Sequence, residues 1–400
     1  MRRLDPPPPE STISGVSIVI AAISCVDSRT VAAICNAATI AYAGLMTMTS
    51  TASHSDPRPA AMPSGGAAGI ADVASLAGVS QSTVSNVLNH RERVAHDTIE
   101  RVERAIAMLG YVPNGAARSL AVGRTRSIGL VLSDLGNSLF VDIARGAERA
   151  AEEHGLSLLV ANADGRLERE DRYVDVFTES RVLGTLLTLN DESHYRALSS
   201  RRGRGTVLTL LNFHADAAAF CSAYFDNEAG GRLATQHLLD TGRSRLVFVG
   251  GPTALQPVAD RREGFRRTLA AAGVRPVDEL TPAGINRADG WQVGQLLAPR
   301  VAAGEIDGVV AASDLLAAGI VQAFTEVPGL TVPESVGVIG YDNNQAAWDA
   351  PIPISTISQP GAELGYAGVG LLLGDVDSHE HEHRAVRLEP SLVVRQSTGR

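Results

Sequence analysis

A chain of 400 residues is too long for one ordinary hydrophobic core, so two or three domains are expected. Hydrophobic residues make up 44% of the chain and charged residues 20%, a balance that is typical of folded globular proteins and excludes a largely disordered chain. The net charge of -9 gives no electrostatic reason to expect nucleic-acid binding. Any such function must therefore be argued from motifs.

The cysteines are few and scattered. Cys25, Cys35 and Cys221 are odd in number and lack CxxC spacing, which argues against a disulfide framework or a structural zinc site and favours a reducing compartment. We therefore expect a cytoplasmic protein.

Histidines alternate with glutamates over residues 379–383. His379, His381 and His383 resemble a metal-binding tract, but no cysteine is close in sequence and a flexible loop is a poor preformed metal site. We interpret this segment as a solvated loop and predict neither a metal nor a cofactor.

Residues 1–65 differ in composition from the rest of the chain. They combine a run of four prolines with Ala, Ser and Thr-rich sequence and an apolar stretch at Val16–Ile23, which is too short to span a bilayer. The flanking prolines and charged residues also disfavour a signal peptide. We interpret this region as a disordered extension, or as sequence translated from a start codon that lies upstream of the true start, for which Met62 is a candidate. We expect no membrane association.

Three short helices are predicted within residues 66–112. Their predicted ranges are Ile70 to Ala77, Gln81 to Asn89, and Asp97 to Leu109. Gly78 supplies a turn between the first two helices, and Ser80 offers a side-chain oxygen that can cap the second. This arrangement is typical of a helix-turn-helix DNA-binding domain.

The second predicted helix has one apolar and one polar face. Val84, Val87 and Leu88 recur at helical spacing, which predicts that this face packs against the other helices. We expect base-edge contacts from Gln81, Ser82 and Asn86, and phosphate contacts from Thr83, Ser85 and Asn89, with Thr98 at the start of the third helix as a further DNA contact. A generic amphipathic helix is the alternative interpretation of this segment.

Beyond residue 127 the pattern changes to buried strands that alternate with helices, as in Ile128 to Leu132, Phe140 to His154 and Leu156 to Ala161. This alternation predicts a parallel α/β fold. Further strands are predicted at Gly184 to Leu189, Thr206 to Leu211, Arg245 to Gly250, Gly308 to Ala312 and Val336 to Ile339. Two doubly wound halves would account for the region.

Several ordered motifs carry a family resemblance. They are DVA at 72–74, AGVS at 77–80, STVS at 82–85, VLN at 87–89, LGYVPN at 109–114 and ARSL at 117–120. They resemble the headpiece of the lactose-repressor family of bacterial transcriptional regulators. The resemblance implies a hinge helix and linker over 113–126, with Asn114 and Ala117 contacting DNA and Leu120 wedged into the minor groove at the operator centre. Such a wedge unstacks a base step and bends the duplex. A packing role for Leu120 in a linker helix is the alternative.

Later motifs continue the same resemblance through the rest of the chain. They are SD at 133–134, DNEAGG at 226–231, Arg261 with GF at 264–265, SD at 313–314, GYD at 340–342 and LVVR at 392–395. The resemblance implies a core like that of periplasmic sugar-binding proteins over 127–400, for effector binding and dimerisation. We expect this core to have two subdomains, with the chain passing between them near residues 225, 357 and 377.

The resemblance also implies an effector site, formed by Asn137, Phe140, Arg261, Asp314 and Asp342. A guanidinium and two carboxylates can bind vicinal hydroxyl groups through charge-assisted hydrogen bonds, and an aromatic ring can stack on the apolar face of a sugar. The alternative is that these charges form surface pairs or support the loops at strand ends.

This sequence departs from the family pattern at several positions. Gly69 and Ala95 stand where the family has capping Ser or Thr, each at a cost of about 1 kcal/mol of helix stability. Asn86 replaces a frequent basic residue and Ser313 a frequent Asn. Base preference and effector identity therefore do not carry over.

The expected protein is a sequence-specific transcriptional regulator, by default a repressor, that binds a palindromic DNA operator as a homodimer under control of a small effector, expected to be a sugar. The sequence contains neither a GxSxG nor a Walker motif, so we expect no enzyme activity. The alternative is a periplasmic-type sugar-binding protein of a transport system, for which the core alone would suffice. The predicted headpiece disfavours it.

Overall fold

A computed structural model describes residues 68–111, 125–189, 191–200, 207–216, 218–377 and 381–399. The chain divides into two compact units, with the boundary between Tyr111 and Val112. The predicted extension at 1–65 and hinge residues Asn114, Ala117 and Leu120 lie outside the described residues. Within the described ranges, no helix has both the length and the apolar character needed to cross a membrane.

In residues 68–111, the described part of the first unit, there are three α-helices, α1 (Ile70–Ala77), α2 (Gln81–Asn89) and α3 (His96–Leu109). Their core includes Val73, Val84, Val87 and Val102, all buried. Within each helix the buried side chains recur at a spacing of three or four residues, as in Val73 with Ala77, Val84 with Val87, and Val102 with Ile99 and Ala105, so each helix presents one apolar side to the other two.

The ends of these helices follow from local chemistry. The Ser80 hydroxyl accepts a hydrogen bond from the Thr83 amide at 3.1 Å and so caps α2. Gly78 ends α1 with a φ of 65°, a left-handed conformation that favours glycine. Gly69 and Ala95 provide no side-chain cap, as expected. At α1 the Asp72 carboxylate compensates in part, since it accepts from the Gly69 amide at 2.8 Å.

The second unit is built on two six-stranded sheets. The first contains β1 (Ser127–Leu132), β2 (Ser157–Asn162), β3 (Thr185–Thr188), β4 (Leu208–Leu211), β5 (Cys221–Phe225) and β11 (Ala385–Leu388), in the order β11-β5-β4-β3-β1-β2. The second contains β6 (Leu246–Val249), β7 (Asp278–Leu280), β8 (Gly308–Ala311), β9 (Gly337–Asp342), β10 (Ser355–Ser358) and β12 (Ser391–Val393), in the order β12-β10-β9-β8-β6-β7. All neighbouring strands are parallel except β12 and β10. This confirms the predicted fold class.

Helices pack on both sheets. They are α4 (Ser138–Glu153), α5 (Leu167–Glu179), α6 (Glu192–Ser200), α7 (Asn227–Asp240), α8 (Gln256–Ala271), α9 (Arg287–Ala302), α10 (Asp314–Thr325), α11 (Gln345–Asp349) and α12 (Gly361–Asp377). We call each sheet with the helices packed on it one half of the second unit. Helix α12 packs against α4 and against strands β3, β4 and β5, so it belongs to the first half, which contains the first sheet.

The chain passes between the two sheets three times. The first passage follows Phe225, the second lies between Ser358 and Gly361, and the third lies between Leu388 and Ser391. The sequence placed the third passage near residue 377, which is wrong. After α12 the chain first adds β11 to the edge of the first sheet and only then returns to the second.

Candidate functional site

A cavity of about 310 Å³ lies where the carboxyl ends of the strands from both sheets meet. It is lined by Ser133, Asp134, Asn137, Leu139, Phe140, Gly165, Asn212, Pro252, Leu255, Pro257, Val258, Arg261, Gly284, Ile285, Ser313 and Asp342. In doubly wound folds the carboxyl ends of the strands are where ligands bind, because loops with polar groups converge there.

Arg261 is held in the cavity wall by several contacts. It lies on α8, is 5% exposed, and donates from Nε to Asn227 Oδ1 at 2.9 Å and from Nη1 to the Ala312 carbonyl. Its guanidinium carbon lies 3.7 Å from the centroid of the Tyr341 ring. These contacts fix the guanidinium before any ligand arrives.

Asp342 connects this arginine to the other half of the unit. Its Oδ1 lies 3.6 Å from Arg261 Nη1, while its Oδ2 accepts from Asn137 Nδ2 at 3.0 Å. Burial raises the pKa of the Asp342 carboxyl, although Arg261 and the hydrogen bond from Asn137 oppose the shift. Asn344 also donates to Asn137 Oδ1 at 3.0 Å.

Asp314 is not among the residues that line the cavity. Its carboxylate is fully buried at the start of α10, where Oδ2 accepts from the Asn344 amide at 2.8 Å. Burial, and then the neighbouring Asp342, raise the pKa of Asp314 well above its ordinary value. The preceding Ser313 lines the cavity instead, and its hydroxyl accepts from the Leu316 amide at 3.2 Å.

The cavity wall is chemically two-sided. Arg261, Asn137 and Asp342 supply charged and amide groups, whereas Phe140 and Val258 are among the apolar residues of the wall. Phe140 is 7% exposed and belongs to the core of the first half. Such a wall can bind a small molecule that has both apolar surface and several hydroxyl groups.

The structure adds lining residues that the sequence did not single out, including Asn212 and Gly284. Asn212 directly follows β4, as Ser133 follows β1 and Ser313 nearly follows β8. A polar residue just after a buried parallel strand was therefore a usable indication of the site.

Helix α2 exposes most of its predicted DNA contacts. Gln81, Ser82, Asn86 and Asn89 are exposed, whereas Thr83, Ser85 and Thr98 are half-buried.

Part of the polar side of α2 is committed to local hydrogen bonds. The Thr83 hydroxyl lies 2.8 Å from the Ser80 hydroxyl, and Asn89 Nδ2 donates to the Ser85 carbonyl at 3.0 Å. Gln81 and Asn86 both expose their side-chain amides on this helix, and an exposed amide can bind a base edge in the major groove.

A helix-turn-helix unit followed by two parallel sheets with a cavity at their carboxyl ends defines a DNA-binding regulator with a ligand-binding core. Residues 69–114 match the family model of bacterial regulatory proteins of the lacI family, and residues 235–398 match a periplasmic binding protein-like domain. The chain belongs to the lacI family of bacterial regulatory proteins.

The chain matches curated relatives over almost the whole length of those relatives. The ribose operon repressor of Escherichia coli K12 is 33% identical over 329 residues, which are 82% of this chain and 98% of the relative. The repressor PurR of Vibrio parahaemolyticus is 31% identical over 330 residues, with the same shares covered. These relatives are transcriptional repressors and not enzymes, in agreement with the function expected from the sequence.

Solved structures agree with the fold of both units. The lac repressor dimer bound to operator and the anti-inducer ONPF has a TM-score of 0.72 at 27% identity, over 83% of this chain and 99% of that one. A complex of the transcriptional regulator CelR with cellobiose has a TM-score of 0.61 at 29% identity, over 82% and 99%. The chain is therefore a DNA-binding transcriptional repressor of this family, and the transport alternative is set aside.

Proposed function

We propose that this protein represses transcription in the cytoplasm as a homodimer on a palindromic operator, and that a sugar bound in the cavity changes its affinity for that operator. The observation that carries the proposal is the two-sided cavity wall, in which Arg261 and Asp342 of one half lie beside Asn137 and Phe140 of the other.

The chemistry of the wall favours a polyhydroxylated ligand. A fixed guanidinium donates to hydroxyl oxygens, and a carboxylate accepts from hydroxyl protons, so the pair Arg261 and Asp342 suits adjacent hydroxyl groups. The ring of Phe140 and the side chain of Val258 suit the C–H face of the same molecule. A volume of about 310 Å³ is at the small end of ligand pockets and favours one sugar ring over a large cofactor.

Control of DNA binding would follow from the position of the cavity between the two halves. A ligand that contacts both halves binds best to one arrangement of them, and it shifts the equilibrium by its difference in affinity for the two arrangements. The ribose-operon and cellobiose-binding relatives support a sugar, whereas the PurR relatives make purines the competitor to be tested.

The DNA-binding part of the proposal assigns the exposed side chains of α2 to the major groove. Gln81, Ser82 and Asn86 would contact base edges, and Thr83, Ser85, Asn89 and Thr98 would contact or approach phosphates. Asn114, Ala117 and Leu120 complete the proposed set on the basis of the family resemblance alone.

The test has two stages. Purified full-length chain is first used to select binding sites from a random DNA pool, and a palindromic consensus is expected. Pentoses, hexoses, disaccharides and purine bases are then tested in thermal-shift assays, because a specific ligand raises the melting temperature. At fixed salt, the sugar that binds should change operator affinity by about 5- to 150-fold. Selection of a non-palindromic site would contradict the proposed binding of a homodimer to a palindromic operator. A response to purines alone would contradict the proposal that the effector is a sugar.

A further inference from the structure

Four potential metal ligands meet near the amino end of strand β5 in the first sheet, whereas the cavity lies at the carboxyl ends of the strands. They are Cys221, Asp375, His381 and His383, and their ligand atoms all lie within 4.8 Å of one another. Cys221 begins β5, Asp375 is near the end of α12, and the histidines precede β11. Since parallel strands share one direction, the amino end of β5 is remote from the carboxyl ends that form the cavity.

The distances within this cluster are close to those of a four-coordinate site. Cys221 Sγ lies 3.0 Å from His381 Nε2 and 3.8 Å from His383 Nδ1, and His383 Nδ1 lies 3.7 Å from Asp375 Oδ2. A tetrahedral zinc ion with bonds of about 2.0 to 2.3 Å separates its ligand atoms by roughly 3.3 to 3.8 Å. These three separations lie in or close to that range and the others are within 4.8 Å, so modest side-chain movements would bring the four atoms to bonding distance of one ion.

The backbone around the cluster holds the ligands in place. His381 and His383 are half-buried while the intervening Glu382 is exposed, as expected where alternate side chains of an extended segment face the same side. The Ser222 amide donates to the Arg384 carbonyl at 2.9 Å, which fixes this segment beside β5.

The cysteine sulfur also has an outer partner. The Arg384 amide donates to Cys221 Sγ at 3.4 Å. Backbone N–H donors of this kind stabilise metal-bound thiolates and orient them.

Two features of the sequence favour a solvated loop for this tract: no cysteine is close in sequence, and a flexible loop is a poor preformed metal site. In the fold, Cys221 comes from 160 residues away and lies beside His381. The first reason therefore does not hold for His381 and His383, and the hydrogen bond from the Ser222 amide to the Arg384 carbonyl, which ties the segment to β5, bears on the second. His379 lies outside the described residues.

We propose that Cys221, Asp375, His381 and His383 form a binding site for one divalent transition-metal ion of the zinc class, separate from the effector cavity. One thiolate, two imidazoles and one carboxylate are ligands that select zinc or cobalt over magnesium or calcium. Bound metal would join the end of α12 and the start of β5 to the segment that leads into β11.

Cobalt(II) provides a direct spectroscopic test. Full-length protein without a histidine tag is treated with chelator, dialysed and titrated with cobalt(II). The expected result is one equivalent with intense visible bands of a four-coordinate ion and a near-ultraviolet thiolate-to-cobalt band, both lost when zinc is added. The melting temperature should rise with zinc. Weak bands typical of aqueous cobalt would overturn the proposal.

Variants assign the site to these residues. His381→Ala should weaken cobalt binding by at least about tenfold. Loss of a residue that only hydrogen-bonds to a metal ligand already weakens binding by about tenfold or more, and His381 is proposed as a ligand itself. Cys221→Ser should remove the thiolate band, and Asp375→Asn should weaken binding. The matched control Glu382→Gln changes an exposed neighbour and should bind like wild type. Equal affinity of wild type and His381→Ala, with the thiolate band retained in Cys221→Ser, would contradict the assignment.

Discussion

Asn137 donates from Nδ2 to Asp342 Oδ2 at 3.0 Å, a hydrogen bond between residues 205 positions apart in the chain. Asn137 caps α4 on the first sheet, where its Oδ1 accepts from the Leu139 amide, and Asp342 ends β9 on the second sheet. The bond joins the two halves at the cavity wall. A ligand that binds Asp342 therefore acts on a contact that also connects the halves.

Loss of either charged residue of the cavity should abolish the effector response. Arg261→Ala or Asp342→Ala removes one member of a buried ion pair that would bind the ligand's hydroxyl groups, and such a loss typically costs about 2 to 5 kcal/mol of ligand affinity. Operator binding without effector should persist, because the helix-turn-helix domain is unchanged. Calorimetry with the selected sugar and fluorescence anisotropy with labelled operator measure the two properties.

Arg266→Ala is the matched control for these variants. Arg266 lies on the same helix as Arg261 but is exposed and pairs with Glu279 away from the cavity. Arg261→Lys keeps a charge with less disturbance of packing and should retain fold while losing most sugar affinity. A normal effector response in both alanine variants would remove these residues from the site.

Asn86→Ala should lower specific operator affinity. A bidentate amide contact to a base is worth about 1 to 3 kcal/mol of discrimination, and Asn86 is exposed on α2. Nonspecific binding should change little because phosphate contacts are retained. Both affinities are measured by anisotropy at one salt concentration, with Glu100→Gln on α3 as an exposed control. Equal loss for specific and nonspecific DNA would assign Asn86 to the phosphates instead.

Much of the fold was predictable because its determinants are local. The ranges predicted for α1 and α2 match the structure, and α3 begins one residue earlier than expected, since Gly78, Ser80 and Gly110 mark helix ends chemically. Strands β5, β7, β10 and β11 were not predicted. Their residues form strands because neighbouring strands supply hydrogen bonds, and no repeating pattern in the sequence indicates this.

The candidate site was predictable only in part. Asn137, Phe140, Arg261 and Asp342 line the cavity, but Asp314 does not. Ser313 is the N-cap residue of α10, and its side chain faces the cavity. Asp314 is the first residue of the helix, and its side chain is buried in the core, so neighbouring positions differ in which side they face. The alternating histidines at 379–383 were visible as a metal-binding pattern, but Cys221 comes from 160 positions away and only the fold brings it beside His381.

Gly365→Ala should destabilise the core. Helices α4 and α12 approach so closely that a Cβ at Gly365 would lie 2.8 Å from the Ala147 amide nitrogen and closer still to the Ile143 carbonyl. Both contacts are backbone atoms and cannot move easily, so we expect a loss of about 1 to 3 kcal/mol in the free energy of unfolding. Chemical denaturation measures it.

Gly370→Ala is the control on the same helix. Gly370 is exposed, and a Cβ there would have no atom within 4 Å. Alanine should therefore stabilise the protein by about 0.5 to 1 kcal/mol, because it favours helix more than glycine does. Destabilisation by both substitutions to the same extent would show that helix contact is not the cause.

Asp260→Asn should stabilise the protein at neutral pH. Burial raises the pKa of Asp260 to about 6 from 3.8, although Arg261 opposes the shift. Between these values the folded state binds more protons than the unfolded state, so the stability from this group is present below pH 3.8 and is lost as the pH rises through 6. Asparagine cannot ionise and avoids that loss. For a partly exposed group we expect about 1 kcal/mol, or roughly 2 to 4 °C in Tm at pH 7.5. The difference should shrink towards zero near pH 4, and melting curves across this range measure it. A difference independent of pH would show that ionisation of Asp260 is not its cause.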